Sequence, residues 1–307
     1  MLILATSFWA GNFIVGKVAT LFEIPPISLN FYRWFFAWIV LAPFTMRQVI
    51  LSKSIIKKNI FSILIMSFTS ISIFNSAVYY GLNYTQVLNG VLMISTIPIL
   101  IIVISSIFKT EKINIFQIFG VLVSLSGVII IITKMELQKL LHFQLNKGDL
   151  WILVAMLSWS IYSIIIKEKK INLKPFVLLQ TLITFGVIML TPFYLLEISS
   201  GKHIPLNIPV FLTIAYVVLF AGIGAYIFWN KAVMAIGPNR SGVFLHLMPV
   251  FSSIMAIGLL GESFAKFHFV GAVFIVTGIF LSSRKKSLMK KIIYYICLFV
   301  LFHKFFF

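Results

Sequence analysis

A few polar and aromatic residues recur at helical spacing inside long apolar stretches. Trp9, Asn12 and Gly16 fall at i, i+3 and i+7, on one stripe of a helix. Trp159, Tyr162 and Ser163 form a matching stripe, and Ser72, Asn75 and Tyr79 form another. Tyr226 and Asn230 with Trp229 beside them, Ser95, Thr96 and Pro98, and His246 with Pro249 complete the set. Polar groups in an apolar solvent are costly, so they mark a cavity or a partner helix. Rings offer apolar and cation–π contact, and amides and hydroxyls fix orientation, which together suit an amphipathic organic solute. The candidate cavity wall is Trp9, Asn12, Asn75, Tyr79, Thr96, Trp159, Tyr162, Tyr226, Asn230 and His246.

Each of these has a plainer reading. Asn12, Asn75 and Asn230 serve equally well as glue between helices. Trp229 suits an interfacial anchor. His246 suits a hydrogen-bonded core histidine, and Pro98 and Pro249 suit kinks. Arg33 lies well inside an apolar stretch and requires a partner, either a carbonyl or a cargo carboxylate.

Nothing in the chain suits catalysis. There is no His-Glu-x-x-His, no Gly-x-Ser-x-Gly and no paired carboxylates, and no Walker pattern for ATP. The one cysteine, Cys297, makes no internal disulfide and no metal cage. No cofactor and no metal are expected. The acids are Glu23, Glu111, Glu136, Asp149, Glu168, Glu197 and Glu262, none near the middle of an apolar stretch. Ion-coupled carriers commonly use a buried carboxylate. Its absence favours facilitated diffusion or exchange, with proton antiport through His246 second.

The elements that would position these residues follow from composition. The chain has 307 residues, 61% hydrophobic and 10% charged, with a mean hydropathy of +1.08. A soluble domain is about half apolar and about a quarter charged, so a water-soluble globule is excluded. A membrane-spanning helix takes about 20 apolar residues. Ten stretches qualify, over 2–20, 27–46, 61–81, 87–108, 115–133, 149–166, 175–195, 209–229, 241–260 and 267–283. Alternate connections hold Arg47, Lys53, Lys57, Lys58, Lys109, Lys112, Lys167, Lys169, Lys170, Lys174, Lys231, Arg240 and the basic run from Arg284 to Lys291. The opposite connections hold only Lys134, Lys139, Lys147, Lys202 and Lys266. The positive-inside rule places the richer side, and both ends of the ten-helix body, in the cytoplasm. It also accounts for the net charge of +18 without nucleic acid, which would need a basic soluble face. The chain starts abruptly on apolar sequence with no cleaved signal peptide expected. The apolar tail from Ile292 to Phe307 is short for a span and reads as an interfacial helix.

The two halves repeat. Trp9 matches Trp159, Lys17 matches Lys167 and Pro25 matches Pro175 at an offset of 150. Pro98 matches Pro249, Glu111 matches Glu262, Gly120 matches Gly271 and Gly127 matches Gly278 at an offset of 151. Five spans per copy is an odd number, so the second copy enters the membrane inverted, an architecture that places one central site between two symmetry-related gates. The glycines, seven residues apart in each copy, read as a close-packing face. The fold class is thus an all-α integral membrane protein of ten transmembrane helices in two inverted five-helix repeats. The division is 1–133, a connection at 134–148, 149–283 and a tail at 284–307.

Ser7 to Phe13 with Lys17, Pro26 through Arg33, Pro98 with Thr110-Glu111, and Gly120 with Gly127 carry a resemblance to a known family. So do Gly148-Asp149, Trp159 to Lys167, Trp229 to Ala232, Gly237-Pro238, Pro249, Gly261-Glu262, and Gly271 with Gly278. Over residues 2–283 the chain resembles the EamA-type family of the drug/metabolite transporter superfamily. The resemblance implies a bacterial inner-membrane carrier of ten helices and leaves the substrate open, because members move very different metabolites. Position and resemblance together favour a structural ion pair or cap for Glu111 and Glu262. The expected function is a secondary transporter moving a small organic metabolite or amino acid by alternating access, as an exporter or exchanger. The alternatives are a multidrug or toxic-compound exporter and a non-transporting membrane scaffold. Expected partners are the small-molecule substrate and membrane lipid, with no nucleic acid; a monomer is compatible with the sequence.

Overall fold

The computed structural model describes residues 1–85, 87–136, 138, 146–205, 207–260 and 263–283. Glu262 and the tail from Arg284 onward lie outside the described residues. The described chain folds into ten principal helices. They are α1 (Leu2–Leu21), α2 (Pro26–Leu51), α3 (Ile60–Leu82), α4 in two pieces (Val87–Ile94 and Ile97–Ile107), and α5 (Ile115–Thr133). Then follow α6 (Lys147–Glu168), α7 (Pro175–Ser199), α8 (Ile208–Ile236), α9 in three pieces (Pro238–Gly242, Val243–His246 and Leu247–Leu260), and α10 (Lys266–Ser283). A short helix, Lys53–Lys58, links α2 to α3. Among the described residues, eight of these helices (α2 to α8 and α10) are long and apolar enough by length and composition to cross a membrane.

The helix boundaries follow local chemistry. Pro26, Pro175 and Pro238 open α2, α7 and α9, where a missing N–H costs nothing and φ is already helical. Asn114 caps α5 in a capping box with Gln117, and Asn146 caps α6 in a capping box with Asp149. Large apolar side chains such as Phe44, Phe61, Ile107 and Phe211 stand exposed on the flanks, as a lipid-facing surface allows.

Packing follows the repeat. α2 lies against α7, and α5 lies against α10, each helix meeting its own counterpart. α1 packs on α8 and α9, while α6 packs on α3 and α4. Each repeat therefore inserts its first helix between the third and fourth of the other. The α5–α10 contact explains the glycine spacing. A Cβ at Gly127 would stand 2.5 Å from the Gly271 carbonyl oxygen, and one at Gly120 would stand 2.6 Å from that of Gly278.

Among the described residues, Val243–His246 within α9 tightens to 3-10 geometry, and two segments widen to π geometry. Phe68–Ile73 within α3 and Val217–Gly224 within α8 are π-helical. They occupy matching places in the two repeats. The change of hydrogen-bond register leaves carbonyls free for other donors.

Candidate functional site

The centre of the bundle is a knot of rings. Trp9 of α1 and Trp159 of α6, the repeat-related pair, meet edge to face with centroids 5.1 Å apart. Trp229 of α8 stands 5.5 Å from each of them. Tyr226 lies 5.3 Å from Trp159 and 4.8 Å from Trp34 of α2, and Tyr162 lies 5.4 Å from Trp159. All are buried. The walls expected to enclose a hollow are here packed directly on one another. Edge-to-face pairs of this kind contribute about 0.5–1.5 kcal/mol each beyond area burial.

Arg33 penetrates this knot. Its side chain is 1% exposed, and its guanidinium carbon lies 5.1 Å from the centroid of the Trp34 ring. Nη1 donates to Asn75 Oδ1 at 3.0 Å and to the Tyr79 hydroxyl at 3.1 Å. Nη2 donates to the Ala221 carbonyl at 2.8 Å, which also accepts from Trp9 Nε1 at 3.0 Å. Tyr226 donates to the Ser70 carbonyl at 2.7 Å. Ser70 and Ala221 both lie in the π segments. The register change thus supplies the acceptors to which the central side chains are tied. The Tyr162 hydroxyl donates to Asn230 Oδ1 at 2.6 Å.

Eight residues singled out in the sequence come together here: Trp9, Asn75, Tyr79, Trp159, Tyr162, Tyr226, Trp229 and Asn230. His246 is tied elsewhere. Its Nδ1 is 2.7 Å from Ser124 Oγ of α5, and its Nε2 is 2.7 Å from the Ser95 carbonyl of α4. Thr96 is turned onto its own helix, where its hydroxyl donates to the Met93 carbonyl at 2.8 Å beside the break in α4. Asn12 lies one turn along α1 from Trp9, with Oδ1 buried and unpartnered. Trp229, legible also as an interfacial anchor, is fully buried. Trp34 was not anticipated. The stripe Asn30, Arg33, Trp34, Ala37 and Leu41, buried throughout, was the signal for it.

Polar contacts tie the helices together at both ends of the bundle. At the lysine-rich end, Glu111, just past α4, accepts from the Asn239 amide at 3.2 Å in the first turn of α9, as a helix cap does. It lies against Gly237, whose φ of +87° suits glycine. Burial pushes the Glu111 carboxyl up from its ordinary 4.5, while the Asn239 amide and the charges of Lys167 and Arg240 pull it partly back. Lys167 Nζ donates to the Met234 carbonyl near the end of α8 at 2.7 Å. At the opposite end, Thr85 donates to Asp149 Oδ1 at 2.5 Å, and Asn146 Nδ2 donates to the Thr85 hydroxyl at 3.1 Å. A groove of about 880 Å³ runs along the flank between α2, α7 and α8, lined among others by Tyr32, Tyr194, His203 and Phe211. It lies apart from the ring knot.

Ten apolar helices in two inverted sets of five, knotted by aromatic and polar residues from both sets, define a multi-pass membrane protein of the inverted-repeat transporter class. The EamA-like transporter family model matches residues 1–133 and again residues 146–284, and the chain belongs to that family. It is similar to a Bacillus subtilis protein named "Uncharacterized transporter YyaM", with 25% identity over 76% of each chain. It is also similar to an Archaeoglobus fulgidus protein named "Uncharacterized transporter", with 24% identity over 93% of this chain and 97% of that one. A crystal structure titled "Crystal structure of protein" shares the fold with a TM-score of 0.70 and 16% identity, covering 92% of this chain and 94% of that one. The protein is a transporter and not an enzyme.

Proposed function

We propose that this transporter moves a small organic metabolite or amino acid across a bacterial inner membrane by alternating access, as an exporter or exchanger. The lysine-rich end faces the cytoplasm. The observation that carries the reading is the Arg33–Trp9–Trp159–Tyr226 knot. It draws on α1, α2, α3, α6 and α8, lies where the two repeats meet, and is closed off by the Glu111–Asn239 contact at one end and the Thr85–Asp149 contact at the other. A site held by both repeats changes its exposure when one repeat rocks against the other. The cargo and membrane lipid are the partners of such a carrier. His246, clamped between α4 and α5, acts as a structural histidine in this scheme, which leaves diffusion or exchange as the mode. The flank groove is apolar and wide enough for a hydrophobic drug, and on that ground a multidrug exporter is the second reading.

The test is an untargeted comparison of solutes inside and outside cells with the intact gene, without it, and with Tyr226→Ala at matched protein abundance. The proposal expects a defined set of organic solutes to redistribute with the intact gene alone. Identical solute distributions in all three would refute it, and redistribution confined to unrelated hydrophobic drugs would favour the second reading.

A further inference from the structure

Resting on the transport reading, we infer that the cargo carries a carboxylate and that Arg33 is its anchor, with the tryptophan rings holding the cargo's apolar part. Three observations converge. Arg33 is a buried cation whose described partners, Asn75, Tyr79 and the Ala221 carbonyl, are all neutral. A guanidinium in an apolar interior is expensive unless an opposite charge meets it. Secondly, its Nε–H is buried without a partner. Nε and one Nη together present the two-pronged face that matches a carboxylate.

The third observation concerns the surrounding rings. The indole N–H groups of Trp34, Trp159 and Trp229 are buried and unpartnered, and so is the Asn230 amide nitrogen, held beside Tyr162. The unpartnered polar atoms on these five residues are donors; the unpartnered acceptors Asn12 Oδ1 and Asn30 Oδ1 lie one turn along α1 from Trp9 and one turn along α2 from Arg33. A buried donor left without an acceptor is costly, and a carboxylate offers two oxygens with about four lone pairs. An amine cargo would add donors to donors and a second cation beside Arg33. A phosphate would bring close to two negative charges against one guanidinium. The carboxylate is the group that balances both the charge and the donors, and three indoles beside it suit an aryl or alkyl remainder.

The purified full-length chain in detergent reports on this through tryptophan emission, because the knot holds Trp9, Trp34, Trp159 and Trp229. The probes are matched pairs: 3-phenylpropionate and 3-phenylpropanamide, hexanoate and hexanamide, phenylalanine and phenylalaninamide, with phenylphosphonate and 3-phenylpropylamine added. At least one carboxylate is expected to shift the emission and to bind tenfold or more tightly than its amide. Arg33→Gln is expected to erase that preference, and Arg33→Lys to keep part of it. Because the wild-type pairs decide the matter alone, a variant that fails to fold does not obscure the result. The inference is overturned if amides, amine or phosphonate bind as tightly as the carboxylates, if no carboxylate shifts the emission, or if folded Arg33→Gln keeps the preference. An amine or amide that binds and is moved removes the anchor and leaves the carrier standing. Unchanged solute distributions in cells lacking the gene remove the carrier itself.

Discussion

Ser70 and Ala221 stand 151 residues apart, at equivalent places in the two inverted repeats, and each offers a carbonyl to the central side chains. Ser70 accepts from Tyr226 at 2.7 Å, and Ala221 accepts from Arg33 at 2.8 Å and from Trp9 at 3.0 Å. Both lie in π-helical segments, which in other helices commonly mark functional positions. Tyr226→Phe removes the bond to Ser70 while keeping the ring. It should cost about 1 kcal/mol of stability and reduce flux severalfold at unchanged abundance. Flux equal to wild type would show that the Ser70 contact has no part in transport.

Asn75→Ala removes one of the acceptors of Arg33 Nη1. The loss of an acceptor costs about 1–3 kcal/mol for a buried neutral donor and more for a charged one. Flux per molecule should fall further than protein abundance, with abundance read on immunoblots and flux from the solutes that the intact gene redistributes. An equal fall in both would reduce Asn75 to a helix contact.

At the end opposite the lysines, Asp149 accepts from Thr85 and from the backbone amide of Asn146. Asp149→Ala removes both contacts, breaks the reciprocal arm of the α6 capping box while leaving the Asn146 cap, and frees the connection that follows α3. A cysteine placed at Tyr84, with Cys297 changed to Ser, should react faster with an impermeant maleimide in the Asp149→Ala background than in the parent. Equal rates would mean that these bonds do not hold that end closed.

Glu111 gives a pH signature. Its carboxyl is raised by burial, so the folded state binds its proton more tightly than the unfolded state does. The stability this contributes is present below the ordinary value of 4.5 and is lost as pH rises through the higher folded value. Thermal unfolding in detergent across the mildly acidic range should decline less steeply with rising pH in Glu111→Gln than in the parent. The same slope in both would remove Glu111 as the source. Because the group is partly exposed, the difference should be small.

Much of the scaffold was legible in the sequence, and for definite reasons. Uninterrupted apolar runs and the placement of Lys and Arg mark the helices, and Gly120, Gly127, Gly271 and Gly278 mark the α5–α10 contact because only a bare backbone fits there. Trp9 and Trp159 were legible as a pair because each repeat carries one. The π segments were not legible: Phe68–Ile73 and Val217–Gly224 contain no proline, and register there is set by the side chains that claim the freed carbonyls. Arg33 stood out as an intramembrane charge, but its partners come from α3 and α8, far away in sequence. Thr96 and His246 match the site's chemistry in type. Their bonds to Met93, Ser95 and Ser124 depend on the break in α4 and the packing of α9, which spacing along one helix does not encode.

In the proposed transport cycle, the knot buried between the two inverted repeats opens in turn to each side of the membrane. Labelling Asn75→Cys, in a Cys297→Ser background, with a small impermeant thiol reagent in right-side-out and in inside-out vesicles reads this opening at the knot itself. Asn75 is 4% exposed in this closed arrangement. Slow labelling is expected from both sides, slowed further from each when a transported solute is present. Labelling from one side only, or from neither, would contradict it.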